Sequence, residues 1–261
     1  MTMLEERNIP ADVTYGLSDA DQHYYEHTDA VTRHLPKTFK HAIHWIDIDG
    51  RKTLLVNNKL LTLIPNPTYD PVGQPGSLEM YFRAQNHEGK EIRDIVKMGP
   101  IPPAARDRAA RVKLLDEQKV DLAWVMPSLG LGLEEMMADN PDMLYAAFHS
   151  YNEWLDEDWG YNRDGRIITG PLMSLIDPDK AIAELNHVIA KGARIITFRP
   201  APVKAPDRFR SLADPIYDRF WHTVADAGIT VAFHGADSGY GIYLERWGES
   251  QTYTGMKMSP L

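Results

Sequence analysis

The chain has 261 residues, 43% of them hydrophobic, enough apolar material to bury one large core, which excludes a disordered chain. It contains no cysteine, so disulfides, thiolate metal sites and a cysteine nucleophile are excluded, and any metal must rest on His and carboxylates. The net charge of -9, from 37 acidic and 28 basic residues with no Lys/Arg cluster, argues against a nucleic-acid partner, and no apolar run reaches the roughly 18 residues a membrane span needs. Glu5, Glu6 and Arg7 occupy the region where a secretory signal would be apolar, so a soluble cytoplasmic protein without a membrane partner is expected.

In chain order, Gly16 to Ala20 reads as a short first strand leading into Asp21 and His23. Residues 40–105 interrupt the pattern. Ala42 to Ile64 resembles a hairpin that turns at Asp49-Gly50, with a second turn at Asn57-Asn58. Pro65 to Pro103 is rich in Pro and Gly, as in a cap or subunit-contact segment near an active-site mouth. From Arg106 the chain alternates amphipathic stretches with short apolar runs, the pattern of parallel strands joined by crossover helices. The expected elements are a helix from Arg106 to Gln118, a strand from Asp121 to Met126, a helix from Pro141 to Trp159 and a strand from Arg166 to Leu175.

Asp177-Pro178 then supplies an N-cap and first-turn proline for a helix from Asp179 to Lys191, with Ile182, Leu185, Val188 and Ile189 on one face and Gly192 stopping it. A strand follows from Ala193 to Phe198. Asp214-Pro215 opens a helix from Ile216 to Ala227, closed by Gly228, and Ile229 to Phe233 is the fifth strand, with His234 at its end. The C-terminal ends of the five strands carry Asp21/His23, Pro127-Ser128, Ser174, Arg199-Pro200 and His234. In a parallel barrel that face carries the chemistry.

Asp21 and His23 stand two apart, and the period of a strand aims both side chains one way, which makes them a chelating pair. A lone D-x-H is common by chance, and a turn-forming Asp beside a surface His is its plainer reading. His234 at the end of a distant strand, next to Gly235, adds a third donor on the same face; a core histidine bonded to backbone is its plainer reading. The other histidines considered lie in expected helices (His187, His222), in the hairpin (His41, His44) or in polar loops (His27, His34, His87), where surface or packing roles are expected.

Several segments resemble amidohydrolase-related proteins, that is amidohydrolase family 2, the group of aminocarboxymuconate semialdehyde decarboxylase and the γ-resorcylate decarboxylases. SDADQHYYE from Ser18 resembles the first-strand metal motif, with a carboxylate replacing the first His of H-x-H. RAARVKLLDEQKVDLAWVMPS from Arg108 is similar to the second helix and strand, with their R-x-x-x-L-D-x-x-x-V-D pattern. AAFHSYNEWLDEDW from Ala146, GARIITFRP from Gly192 and GITVAFHGADSG from Gly228 resemble a helix, the fourth strand and the fifth strand with its metal His.

The resemblance implies an α/β fold of the (β/α)8 TIM-barrel type, here one domain over 1–261 ending after the fifth βα unit, with 40–105 inserted after strand 1. It also implies a divalent-metal site on Asp21, His23 and His234. Zinc is the first expectation, with manganese or iron as alternatives. The family's later His and its Asp after strand eight have no counterpart, so a fragment or incomplete gene is expected, and open barrel edges with the insertion predict a homodimer.

The implied reaction is hydrolysis through a metal-activated water, or non-oxidative decarboxylation, of a small cyclic or aromatic carboxylate, with His234 and Asp21 as catalytic groups. Arg199 is a candidate carboxylate partner or a structural salt bridge. Trp45, Tyr24 and Tyr25 are candidates to line an aromatic pocket or pack in the core. Glu26 would orient a ligand or, by the preferred reading, cap the turn that follows it. Two other readings stand beside these: a metal-free (β/α) protein with His234 and Asp21 as an acid/base pair, and a non-catalytic binding protein.

Overall fold

A computed structural model describes residues 15–64, 66–85 and 88–235. The chain opens with β1 (Ser18–His23), followed by β2 (Ile43–Ile48), β3 (Arg51–Val56), β4 (Lys59–Leu60) and β5 (Val72–Gly73). Two short helices, α1 (Glu79–Phe82) and α2 (Ile92–Ile95), precede β6 (Met98–Gly99). Then come α3 (Arg108–Glu117), β7 (Leu122–Met126), α4 (Glu134–Met137), α5 (Pro141–Asp158) and β8 (Ile167–Thr169). The last part holds α6 (Pro178–Ala190), β9 (Ile195–Phe198), β10 (Val203–Lys204), β11 (Phe209–Arg210), α7 (Asp218–Asp226) and β12 (Thr230–Phe233).

Five of these strands are parallel and follow chain order. β1, β7 and β8 form one ladder and β9 and β12 another, and a single parallel bridge between Leu172 and Thr197 joins the two. The strands follow one another in barrel order, and among the described residues the sheet does not close on itself. β9 (IITF) is buried at all four positions, as expected of a β-branched strand covered on both faces. No helix among the described residues is long and apolar enough to cross a membrane.

The expected helices form where their end signals stand. Asp177 caps α6 by accepting from Asp179 N and Lys180 N, Pro178 occupies the first turn, and Gly192 lies beyond the end at φ +92°. Ala181, Leu185 and Val188 are buried, with Ile182 and Ile189 packed beside them. The helix expected from Ile216 begins instead as a 3-10 turn, Pro215–Tyr217, and becomes α-helical at Asp218.

Two strands differ from expectation for identifiable reasons. The first continues to His23 because Gln22 and His23 pair with Val125 and Met126, while Asp121 fixes its start by accepting from Leu17 N at 2.7 Å. A register shift between Asp19 and Gln22 places Asp21 in a bulge. The third strand was expected to run from Arg166 to Leu175, yet its regular part ends at Thr169. There Gly170 presses on β9 so closely that a Cβ would fall within 2.2 Å of Thr197 Oγ1, and Pro171 has no N–H to donate. Leu172 then resumes the pairing.

Between β1 and α3 lies the hairpin β2–β3, paired from Ile43–Val56 to Ile48–Arg51 across the Asp49-Gly50 turn. Asn57 and Asn58, both at positive φ, turn the chain into β4. Beneath the first strands an aromatic group of Tyr24, Tyr151, Trp154 and Trp159 is fully buried, with the Tyr24 ring edge-to-face on Trp154 and tilted against Trp159. Tyr24 therefore belongs to the core and does not line a pocket.

Candidate metal centre

Three donors from opposite ends of the described chain meet at the C-terminal face of the parallel strands. Asp21 and His23 come from the bulged end of β1, and His234 follows β12, held by its N–H bonding to Phe198 O at 3.1 Å. Asp21 Oδ1 lies 3.6 Å from His23 Nε2 and 3.4 Å from His234 Nε2. The two imidazole rings meet edge to face with centroids 4.8 Å apart, and one donor atom from each residue lies within 4.8 Å of the others.

These spacings suit a small cation. Donors on a tetrahedral shell of about 2.1 Å radius stand about 3.4 Å apart, close to the separations found here. Two imidazoles and one carboxylate form an N,N,O set suited to zinc, manganese or iron. His234 also buries its Nδ1 without a hydrogen-bond partner. The group therefore fits a divalent metal.

Surrounding groups set the orientation of His23. Ser128 Oγ donates its one hydrogen to Tyr24 O at 2.7 Å and also meets His23 Nδ1 at 3.3 Å. With that hydrogen committed, Nδ1 must be the donor and Nε2 keeps the lone pair facing Asp21. Burial is the largest influence on the His23 pKa and lowers it, neighbouring His234 adds to this, and Asp21 opposes it. Neutral imidazole, the ligating form, is thereby favoured.

Glu26 supports Ser128 from below. Its Oε1 accepts from Ser128 N at 3.1 Å, Leu129 N at 2.8 Å, Gly130 N at 3.1 Å and the Tyr151 hydroxyl at 2.7 Å. The carboxylate thus caps the turn after β7 and, through Ser128, bears on His23. Burial raises its pKa, against the pull of those N–H donors and Tyr151.

Arg111 holds the other side of β1. Its guanidinium donates to Gln22 Oε1 at 2.7 Å, His23 O at 2.6 Å and Ala104 O at 2.6 Å, and lies 5.8 Å from the centroid of the Trp159 ring. The segment before α3 returns to the same place: Tyr25 stacks on Tyr69 at 4.5 Å, and Arg106 donates to Thr68 O and Glu26 O.

Arg199 and Trp45, the two candidate substrate contacts, both have partners within the chain. Arg199 is only 4% exposed, donates to Glu135 Oε2 at 2.8 Å and stands 3.5 Å from Glu134 Oε2, so its fork serves carboxylates of this chain. Trp45 donates Nε1–H to Thr28 O at 2.7 Å and packs on the core, which makes it an anchor of the hairpin. The sequence places Ser128 at a strand end on this face but gives Arg111 and Tyr69 no role in it. Arg111 begins the R-x-x-x-L-D pattern, and that was its signal in the sequence.

No protein-family model matches the chain, and no curated protein does. Among solved structures it is similar to an amidohydrolase from Mycobacterium avium subsp. paratuberculosis K-10, with a TM-score of 0.86 and 38% sequence identity over 91% of this chain. The present chain spans 62% of that protein's length. That likeness supports the amidohydrolase resemblance and leaves the narrower decarboxylase-like grouping without support. In sequence and in fold the chain is similar to that amidohydrolase over most of its own length.

Proposed function

We propose that the chain carries the principal metal-binding part of a metal-dependent hydrolase, with Asp21, His23 and His234 holding one divalent cation, zinc before manganese or iron. The observation behind this reading is the single oxygen of Asp21 standing 3.6 and 3.4 Å from two imidazole nitrogens. A divalent cation supplies Lewis acidity, lowering the pKa of water toward neutrality and polarising a carbonyl.

The remaining work falls to this chain's own groups. Ser128 and Arg111 fix the ring and backbone of His23, so the donors are set before an ion arrives. Asp21, with its side chain 77% exposed, is placed to take a proton from water at the mouth. His234 presents Nε2 from the opposite side. Tyr69 and Tyr25 form an aromatic wall beside Ser128, suited to a flat or cyclic substrate.

Hydrolysis of an ester, lactone or amide is preferred over decarboxylation, because Arg199, the group expected to grip a carboxylate, is already paired with Glu134 and Glu135. The test is hydrolysis of a panel of aryl esters, lactones and cyclic amides by metal-loaded and chelator-treated protein. The proposal expects turnover that falls at least about a hundredfold in His23→Ala and His234→Ala. Turnover unchanged by chelation or by these substitutions would refute it.

A further inference from the structure

A second group of donors lies on the outer helices, away from the strand ends. His149 and Glu153 stand one turn apart on α5, and His187 faces them from α6. One donor atom from each lies within 4.8 Å of the others. His187 Nε2 meets Glu153 Oε1 at 2.6 Å, and the His149 and His187 rings are 4.8 Å apart between centroids.

Other groups brace this cluster. Glu184 Oε2 binds His149 Nδ1 at 2.9 Å, and its Oε1 accepts from the buried Asn152 amide at 2.8 Å. With Nδ1 engaged by a carboxylate, His149 has Nε2 to offer to an ion, the carboxylate–histidine arrangement seen behind metal ligands. Lys191 Nζ neutralises Glu153 Oε1 at 2.8 Å but also reaches Asp156 Oδ2 at 3.1 Å, so it keeps a partner if an ion replaces it at Glu153. The side chains of His149, Glu153 and His187 are 46%, 22% and 36% exposed, open enough for a hydrated ion to enter.

Two His–Glu pairs serving only as surface bridges would explain each contact separately, at little gain in stability. They do not explain why the two pairs converge so that a donor atom of each of His149, Glu153 and His187 lies within 4.8 Å of the others. We propose that His149, Glu153 and His187 form a second divalent-cation site, of the zinc type, that clamps α5 to α6, with Glu184 as its positioning residue. It is separate from the Asp21 centre and does not depend on the hydrolase reading.

Zinc titration against a chromophoric chelator, with thermal melting as a second readout, tests this on the whole chain. His234→Asn should retain one equivalent of zinc that His187→Asn or Glu153→Gln removes. Zinc should raise the melting temperature of His234→Asn by several degrees and leave the His187→Asn/His234→Asn double variant unmoved. Glu184→Gln, which keeps size and an acceptor for Asn152, should weaken this site about 10- to 100-fold. Circular dichroism identifies variants that fail to fold, and Glu153→Gln provides a near-isosteric alternative to His187→Asn. A His234→Asn protein that binds no zinc, or that binds it undiminished after both His187 and Glu153 are replaced, would overturn the proposal.

Discussion

Asp21 Oδ1 lies 3.4 Å from His234 Nε2, a contact between the first and the fifth parallel strands. Asp21 sits in a bulge of β1 and His234 just beyond the hydrogen-bonded end of β12. The contact closes the C-terminal face of the five-stranded array over the point where the cation is proposed to sit.

Asp21→Asn preserves size and one donor oxygen while removing the charge. Its exposed side chain carries little packing, so the melting temperature should stay within about a degree of the parent. Zinc affinity should fall about a hundredfold, measured by competition with a chelator. A variant with parental affinity would show that Asp21 is no ligand.

Ser128→Ala deletes the acceptor for His23 Nδ1 and the donor to Tyr24 O. The two lost hydrogen bonds should together cost about 1 to 2 kcal/mol of stability, read from a urea melt. The freed imidazole should bind metal about 10- to 100-fold more weakly. Loss of stability alone, with metal affinity intact, would limit Ser128 to a structural role.

Glu26→Ala strands three backbone N–H groups and the Tyr151 hydroxyl, so it should destabilise the fold by about 3 kcal/mol or more. The pH dependence follows from its raised pKa. Below 4.5 the carboxyl is protonated in folded and unfolded chains alike; as pH rises past 4.5 the unfolded chain ionises first, and the native state loses stability until its own higher pKa is passed. Relative to parent, Glu26→Gln should therefore gain stability as pH rises from 4.5, in urea melts across pH 4 to 8. A constant difference across that range would contradict this.

Arg33 gives the opposite sign. It bonds Asp29, Glu157 and Asp158, pinning the loop after β1 to the end of α5. Arg33 holds Asp29 below its usual 3.8, and His34, with help from Arg33, holds Glu157 below 4.5. Such groups stabilise the fold above the unfolded pKa and lose that contribution as pH falls through the lowered folded values. Arg33→Met should cost about 1 kcal/mol at neutral pH, since these pairs are solvent-screened, and the gap should close below about pH 3.8. A gap independent of pH would mean that Arg33 acts through packing.

Much of this arrangement was readable in the residues. Asp177-Pro178 with Gly192, and Asp214-Pro215 with Gly228, mark helix ends by local chemistry, and IITF marks a doubly covered strand by composition. The D-x-H pair and His234 were legible because each stands at a strand end. The two readings of Arg199, carboxylate partner or salt bridge, stayed open in the sequence because Glu134 and Glu135 lie on a short helix that periodicity does not reveal. Ser128, Glu26 and Tyr69 act through contacts between remote segments, which linear spacing does not encode. His149 and His187 meet only when α5 and α6 pack.

Zinc content after exhaustive dialysis decides the central claim most directly, measured by mass spectrometry on the parent chain and on His23→Ala and His234→Ala proteins shown to be folded. The account predicts that each substitution removes one equivalent, whatever the helix site retains. Equal zinc in all three proteins would contradict it.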